Sequence, residues 1–322
     1  MVTNVTNLMS FVKSKLIRNQ SIKKIGRTSI ASSAGDKLFD IVIHFALVIV
    51  VLIVLLPLLY VLSASFSTPT ALREGRVWIF PVEPTLMAYE AIFRDPSILR
   101  GFYNSAFYMI VGTVINLTMT VLAAYPLSRK QFFIRNYVMG IFTFTMLFSG
   151  GLIPLYLLVM DLGLLNTRWA MWLPTALSVW NVIITRTFYM ITIPDELYES
   201  TMIDGCSDFR FLLSIVLPLS GPIMAVMALF YGIAHWNTFF NALIFLSSDD
   251  LFPLQLVLRN ILILHQFDAA VIVDFDALMR RMGLMELLRY AVIVVATVPM
   301  LCIFPFVQRY FIKGVMIGAL KG

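Results

Sequence analysis

The chain has 322 residues, of which 60% are hydrophobic and 13% are charged, and its formal net charge is +6. Because about a quarter of the residues in soluble domains are charged, this composition excludes an ordinary soluble domain and predicts an integral membrane protein. The positive charge does not indicate nucleic-acid binding, since Lys and Arg concentrate beside apolar segments, where the positive-inside rule and anionic lipid account for them. Cys206 and Cys302 show no metal-ligand spacing, so we expect both to be reduced.

Residues 1–38 form a basic leader in which seven Lys and Arg residues accompany a single acid, Asp36. Apolar residues are interleaved with the basic ones, which predicts a cytoplasmic, partly amphipathic segment on the membrane surface. A cleavable signal peptide is not expected, because the first apolar run starts late, is too long and lacks a small-residue cleavage site. The first span is therefore expected to remain as an anchor.

Six apolar runs are long enough to cross about 30 Å of hydrocarbon, and together they predict an all-α membrane protein with a six-helix domain over residues 39–322. The runs lie near 39–63, 103–127, 137–160, 168–190, 219–247 and 286–312. Polar residues dilute the second run, and Ser149-Gly150-Gly151 and Pro154 dilute the third. Such dilution is typical of helices that face other helices or a water-filled path.

Short segments rich in Lys and Arg predict the orientation. Residues 129–135, between the second and third runs, and residues 309–321, after the sixth, carry basic residues without acids. Both segments are therefore predicted to be cytoplasmic, as are the two termini. Since an even number of spans returns the chain to the same side, residues 191–218 are predicted to be cytoplasmic as well.

Two longer segments, 64–102 and 248–285, are predicted to lie outside the cell. The first is rich in proline and is expected to end in the helix that enters the second span. In the second, Pro253 opens an apolar run up to Leu264 that is too short and too polar to cross the membrane, which predicts an amphipathic helix at the outer surface. Two hypotheses remain open for this helix: it caps the bundle, or it docks an external partner.

A polar segment, residues 191–218, separates two apolar runs and predicts a helix, a sharp turn and a second helix. Pro194 and the acids after it suit a helix start, because acidic side chains stabilise the positive end of the helix dipole. Gly205 is suited to end that helix with a positive φ, and Ser207 is suited to cap a second helix that begins near Asp208.

This segment resembles the cytoplasmic EAA loop of ABC importer permeases, and residues 191–218 are called the EAA loop from here on. The residues that match the family pattern in register are Glu199, Asp204, Gly205, Ile215, Leu217 and Pro218. Ser200, Thr201 and Cys206 replace the usual small alanines. The resemblance implies a coupling helix that lies in a cleft of an ATPase subunit. The contacts it implies are Glu199, Ser200, Thr201, Asp204, Gly205, Cys206, Leu217 and Pro218. The alternative is a surface loop that only joins two spans.

Further stretches are similar to the maltose-type, carbohydrate-uptake permeases, which implies the type I ABC importer permease fold. They are Asn104-Ser105, Gly163-Leu164-Leu165-Asn166-Thr167, Trp236-Asn237 with Leu243-Ile244, and the run from Gln308 to Gly314. Residues 148–154 and 253–259 resemble the subgroup for complex or polysaccharide-derived sugars, so an acidic oligosaccharide is a conceivable cargo.

Aromatic and amide side chains inside the spans are candidates for a sugar pathway, because aromatic faces stack on sugars and amides pair with hydroxyls. The spacing of four places Tyr231 with His235, and Asn237 with Asn241, along helical faces. The candidates are Tyr156, Trp180, Asn181, Tyr231, His235, Trp236, Asn237 and Asn241. The same residue types also hold helices together, and that interpretation remains open.

The chain contains no G-x-x-x-x-G-K-[ST] motif, so energy is expected from another polypeptide. No catalytic residue and no metal site is predicted, and this chain is expected to bind no cofactor. The resemblance implies that two P-loop ATPase subunits bind ATP and Mg²⁺. It also implies a second homologous permease, which forms a heterodimer with this chain, and an extracellular or periplasmic sugar-binding protein. The implied location is the bacterial cytoplasmic (inner) membrane.

Two other function classes fit a chain of this composition less well. A secondary transporter or channel for a small polar solute would need no ATPase, but no clear internal repeat and few intramembrane charges occur. A membrane enzyme would need a clustered nucleophile, base or metal set, and the three histidines are far apart in sequence. Neither class accounts for the EAA loop.

Overall fold

The computed structural model describes residues 34–264 and 275–319, and these ranges are helical without a strand. The basic leader therefore lies outside the described residues, apart from the start of the first helix. In chain order the helices are α1 (Ala34–Ser65), α2 (Pro69–Arg73), α3 (Met87–Arg94), α4 (Pro96–Ser128), α5 (Arg135–Leu147), α6 (Leu152–Asp161), α7 (Trp169–Trp172), α8 (Val179–Thr192), α9 (Asp195–Ile203), α10 (Asp208–Leu219), α11 (Gly221–Trp236), α12 (Phe240–Phe245), α13 (Leu254–Leu264) and α14 (Phe275–Ala319).

The chain divides into two compact units, residues 1–58 and 59–322. The described part of the first unit belongs to α1, whose side chains from residue 35 to 58 are exposed. Its segment Gly35–Ser65 is long and apolar enough to cross a membrane, so an exposed surface of this kind is suited to contact with lipid. The second unit contains the remaining helices and the packed core.

Three helical segments of the described chain are by themselves long and apolar enough to cross a membrane, namely Gly35–Ser65, Pro96–Ser128 and Gly283–Pro305. The number rises to five if each of two bent helix pairs is one span. The predicted fourth run, 168–190, forms α7, a 3-10 turn at Leu173–Thr175 and α8. Helix α8 has 14 residues, which is shorter than the roughly 20 needed to span the hydrocarbon alone.

The predicted third span, 137–160, is not continuous. Helices α5 and α6 meet at an angle of 111° around residues 148–151. Gly151 precedes α6 with a φ of +86°, a backbone conformation that residues with a Cβ rarely adopt. Pro154, which has no N–H, falls in the first turn of α6, where that donor is not needed. The residues that dilute the third apolar run therefore lie at a sharp bend between two helices.

The predicted fifth span, 219–247, is also interrupted. Helix α11 ends at Trp236, and α12 begins at Phe240. In the last turn of α11, the Asn237 N–H donates a hydrogen bond to the Ile233 carbonyl at 3.0 Å. Asn237 and Asn241 therefore belong to different elements, and the prediction that they lie along one continuous helical face was wrong.

Helix α4 lies at the centre of the second unit and packs against α8, α11 and α13. Two glycines allow the close approach of its neighbours. A Cβ on Gly112 would meet the imidazole ring of His235, and a Cβ on Gly101 would lie 3.0 Å from Val257 Cγ2. Small residues at helix crossings are typical of membrane proteins, where association depends on close packing rather than on exclusion of water.

The segment before α13 is hydrogen-bonded to the first turns of α4. Asn104 Nδ2 donates to the Asp250 and Phe252 carbonyls at 2.8 and 3.1 Å. The Leu254 N–H donates to Ser105 Oγ at 2.8 Å, and Leu254 is fully buried. The amphipathic helix predicted after Pro253 is present, and this packing matches the bundle-capping hypothesis. Docking of an external partner stays a prediction.

Candidate functional site: the EAA loop and the polar residues of the bundle

The EAA loop contains the helix, turn and helix that its sequence predicts. Helix α9 starts directly after Pro194, with Asp195 and Glu196 in its first turn. Its end forms a Schellman motif, in which the Gly205 N–H donates to the Met202 carbonyl and the Cys206 N–H to the Thr201 carbonyl, both at 3.0 Å. Gly205 has a φ of +78°. This glycine therefore fixes the sharp turn between α9 and α10.

Helix α10 begins after the predicted cap. Ser207 Oγ accepts a hydrogen bond from the Arg210 N–H at 3.4 Å. Its middle forms a π-helical turn over Leu212–Val216, after which Leu217 is half-buried and Pro218 is exposed. The pair α10 and α11 is bent by 82°, so the loop leaves the bundle at a steep angle.

Two basic residues after α4 hold the start of α9. Lys130 Nζ lies 2.7 Å from Asp195 Oδ2, and this carboxylate raises the pKa of Lys130. Arg129 is buried with 5% exposure, and its Nη1 lies 4.0 Å from Asp195 Oδ1. Its guanidinium also lies 5.6 Å from the centre of the Tyr125 ring and 5.7 Å from that of Phe211. These cation–π contacts tie the end of α4 to α10.

The two helices of the EAA loop are also joined to each other. Tyr198 OH donates to Asp208 Oδ1 at 2.8 Å, and the Tyr198 ring packs edge-on against Phe211 at 5.3 Å. Burial raises the pKa of Tyr198, and the Asp208 carboxylate raises it further. Arg186 Nε donates to the Leu127 carbonyl at 2.8 Å, which joins α8 to the end of α4. Helix α9 is thus linked to the end of α4 and to α10, and α8 is linked to the end of α4.

One side of the EAA loop is exposed. Glu199, Ser200, Asp204 and Gly205 are on it, whereas Thr201 and Cys206 are half-buried and face inward. Sequence reasoning missed two further residues of this surface, Ile203 with 86% exposure and Phe209 with 65%. The available signal was a large apolar side chain in a polar segment outside the spans, which is typical of a contact surface.

Three of the candidate pathway residues lie on α11 and are buried. Tyr231 OH is 2.7 Å from Thr120 Oγ1, and His235 Nε2 is 2.6 Å from Asn116 Oδ1. Trp236 Nε1 donates to the Ala296 carbonyl at 3.0 Å. The structure thus places Tyr231 and His235 together against α4, with their polar atoms bonded inside the protein.

The other candidate pathway residues do not converge on one place. Tyr156 is half-buried and stacks on Phe245 at 6.4 Å, Trp180 is 59% exposed, and Asn181 is buried. Asn241 is half-buried, and Asn237 is exposed and lines a cavity with Gln255 and Arg259. Sequence reasoning missed Gln255 and Arg259 as site residues. The signal was a glutamine and an arginine, four residues apart, within a mostly apolar helix.

The family model described as binding-protein-dependent transport system inner membrane component matches residues 116–317. The chain belongs to this family. The ABC importer permease resemblance seen in the EAA loop is therefore confirmed, and the secondary-transporter alternative is set aside. As an inner-membrane component of a binding-protein-dependent ABC transporter, the permease works with an ATPase and a substrate-binding protein rather than as an enzyme.

Individual relatives match nearly the full length of the permease. Protein LplC of Bacillus subtilis (strain 168) is 42% identical over 84% of this chain and 90% of its own length. The polygalacturonan/rhamnogalacturonan transport system permease protein YtcP of the same organism is 38% identical over 89% of this chain and 99% of its own. The chain is also similar to a crystal structure of a bacterial ABC transporter involved in the import of the acidic polysaccharide alginate. The TM-score is 0.78 and the sequence identity is 31%, and the match covers 87% of this chain and 98% of that chain.

Asn116 joins three parts of the permease, and its removal is expected to destabilise the fold. Its Oδ1 bonds the buried His235 ring, and its Nδ2 donates to the part-buried Thr175 carbonyl at 2.5 Å, so Asn116→Ala leaves both of these groups without their partner. We expect the free energy of unfolding, measured by denaturant titration in mixed micelles, to fall by about 2 kcal/mol. Thr118→Ala is the control, because Thr118 Oγ1 bonds only the Val114 carbonyl of its own helix and is exposed. Equal stability of the two variants would contradict the expectation.

Proposed function

We propose that the chain is the membrane-spanning permease subunit of an ATP-driven importer that moves an oligosaccharide, derived from a polysaccharide, into the cytoplasm. The observation that carries this proposal is the match to the alginate importer over 87% of the chain at a TM-score of 0.78. The printed function of YtcP, a polygalacturonan/rhamnogalacturonan permease, supports the same class of cargo. Oligosaccharide import is therefore favoured over import of a small ion or amino acid.

The chain crosses the membrane six times, with both termini in the cytoplasm. The bent pair α5–α6 forms the third crossing, α7 with α8 the fourth, and α11 with α12 the fifth. The basic residues of 129–135 support the cytoplasmic position of the end of α4. Since Lys130 contacts Asp195 at 2.7 Å, the EAA loop lies on that same side, where ATP is available.

The EAA loop docks on a partner ATPase, which binds ATP and Mg²⁺, while this chain binds no cofactor of its own. Glu199 pairs with a basic residue of the ATPase cleft, and the exposed apolar side chains Ile203 and Phe209 fill it. Closure of the ATPase pair moves α9, and the contacts of Asp195 and Phe211 carry this motion into α4. The importer then alternates between an outward-open and an inward-open state.

The complete importer contains a second, homologous permease, two ATPase subunits and an external sugar-binding protein. This chain and the second permease form a heterodimer around the pathway. The cavity lined by Asn237 contributes to that pathway, whereas the buried Tyr231 and His235 hold its wall in place.

The experiment that tests this proposal is recovery of the tagged chain from its native membranes in mild detergent, followed by mass spectrometry. The native chain is expected to bring down a P-loop ATPase and a second permease. Glu199→Lys reverses the charge of the exposed contact and is expected to reduce ATPase recovery about tenfold. Glu90→Lys, the same change at an exposed position of α3, is the control and is expected to retain the ATPase. Recovery of the native chain alone would contradict the proposal.

A further inference from the structure

A cavity of about 700 Å³ lies between α11, α13 and α14. It is at the end of the bundle opposite the EAA loop, because α13 packs at Gly101 near the start of α4 while Lys130 follows its end. Most of its lining is apolar, and Asn237, Gln255 and Arg259 supply polar groups. Sites for small molecules have volumes of about 300–1,000 Å³ and combine apolar walls with a few polar groups of this kind.

Arg259 is the one charged residue among the described residues of this lining. It is half-buried, and none of the ion pairs of the described chain includes it. The neighbouring arginine at the same end, Arg100, is instead neutralised by Asp250. A half-buried cation with no counter-charge among the described residues is suited to pair with a bound anion.

The polar groups are arranged on two elements that face the same space. Gln255 and Arg259 are four residues apart on α13 and so share one face of the helix. Asn237 directly follows the last turn of α11. Phe239, which is 42% exposed, adds an aromatic ring to the wall. The cavity thus offers a guanidinium, two amides and an aromatic ring, which match a carboxylate, hydroxyls and the apolar face of a sugar ring.

We propose that this cavity binds a uronic acid unit of the transported oligosaccharide, with Arg259 paired to its carboxylate and Asn237 and Gln255 bonded to its hydroxyls. The inference rests on the proposed function and adds the charge of the substrate to it. The planar fork of arginine donates two parallel hydrogen bonds to a carboxylate, so Arg259 selects acidic over neutral sugars. This chain then contributes directly to substrate selectivity.

The test is binding of digalacturonate to the complete importer in nanodiscs of zwitterionic lipid, measured by NMR titration. The dimethyl ester of the same disaccharide is the matched neutral probe. The native complex is expected to prefer the acid over the ester, and Arg259→Gln is expected to weaken binding of the acid about tenfold to hundredfold with the ester unaffected. Arg259→Lys, which keeps the charge but not the fork, is expected to give an intermediate loss.

Arg94→Gln is the control, since Arg94 is 83% exposed on α3 and outside the cavity. It removes the same charge and is expected to keep the preference for the acid. Equal binding of acid and ester by the native complex, or an unchanged preference in Arg259→Gln, would overturn the inference. So would loss of co-purified anionic lipid from Arg259→Gln, measured before transfer to the nanodiscs, without a change in sugar binding. In each of these cases, continued ATP-driven uptake of a neutral oligosaccharide would leave the proposed importer function intact.

Discussion

Gly205→Val is expected to leave the permease inserted in the membrane but to uncouple ATP hydrolysis from uptake. Gly205 has a φ of +78°, which a β-branched residue adopts only with strain of about 1–3 kcal/mol. A Cβ at this position meets no atom within 4 Å, so the effect acts on the backbone of the turn and not on packing. The turn that presents Glu199 and Ile203 would relax to another conformation.

The measurement for this prediction is uptake of labelled oligosaccharide and ATP hydrolysis in the same reconstituted vesicles. Uptake per ATP hydrolysed should fall by more than about tenfold in Gly205→Val, because in the proposed mechanism α9 must be correctly placed to transmit the ATPase motion. Gly205→Asn is the matched control, because asparagine tolerates a positive φ, and it should retain most of the coupling. Normal uptake by the valine variant would show that the turn geometry is dispensable.

Gly112→Val is expected to lower the stability of the bundle by about 3 kcal/mol. A Cβ at position 112 would lie 2.6 Å from His235 Cε1 and 2.8 Å from His235 Cδ2, well inside van der Waals contact. Either α4 and α11 separate, or the imidazole rotates and loses its 2.6 Å hydrogen bond to Asn116. Both outcomes weaken the central helix pair of the second unit.

The free energy of unfolding in mixed micelles measures this effect, and Gly140→Val provides the reference. Gly140 is also inside a helix, α5, but a Cβ there meets no atom within 4 Å. The two substitutions share the change in helix propensity, so their difference isolates the collision with His235. A second check is Gly112→Val combined with His235→Ala, in which the space is restored and part of the lost stability should return. Equal stability of the two glycine variants would refute the close approach.

The membrane class, the helical fold and the local structure of the EAA loop can all be inferred from the amino-acid sequence. Hydrophobic runs report burial in lipid residue by residue, and caps and turns depend on neighbours a few positions away. Thus the helix after Pro194, the positive φ of Gly205 and the cap at Ser207 were all predicted correctly. The family resemblance of the same residues depended on their spacing alone.

The positions of the helix bends and the pairs of polar residues that meet could not be inferred in this way, because they depend on packing between distant parts of the chain. The 111° bend between α5 and α6 coincides with a φ of +86° at Gly151, and apolar periodicity does not report such a change of direction. The bond between Asn116 and His235 joins residues 119 positions apart, and the cavity brings Asn237 to Arg259 from separate helices. Such contacts follow from helix packing across the whole bundle, because the pairing of distant side chains leaves no periodic pattern along the chain.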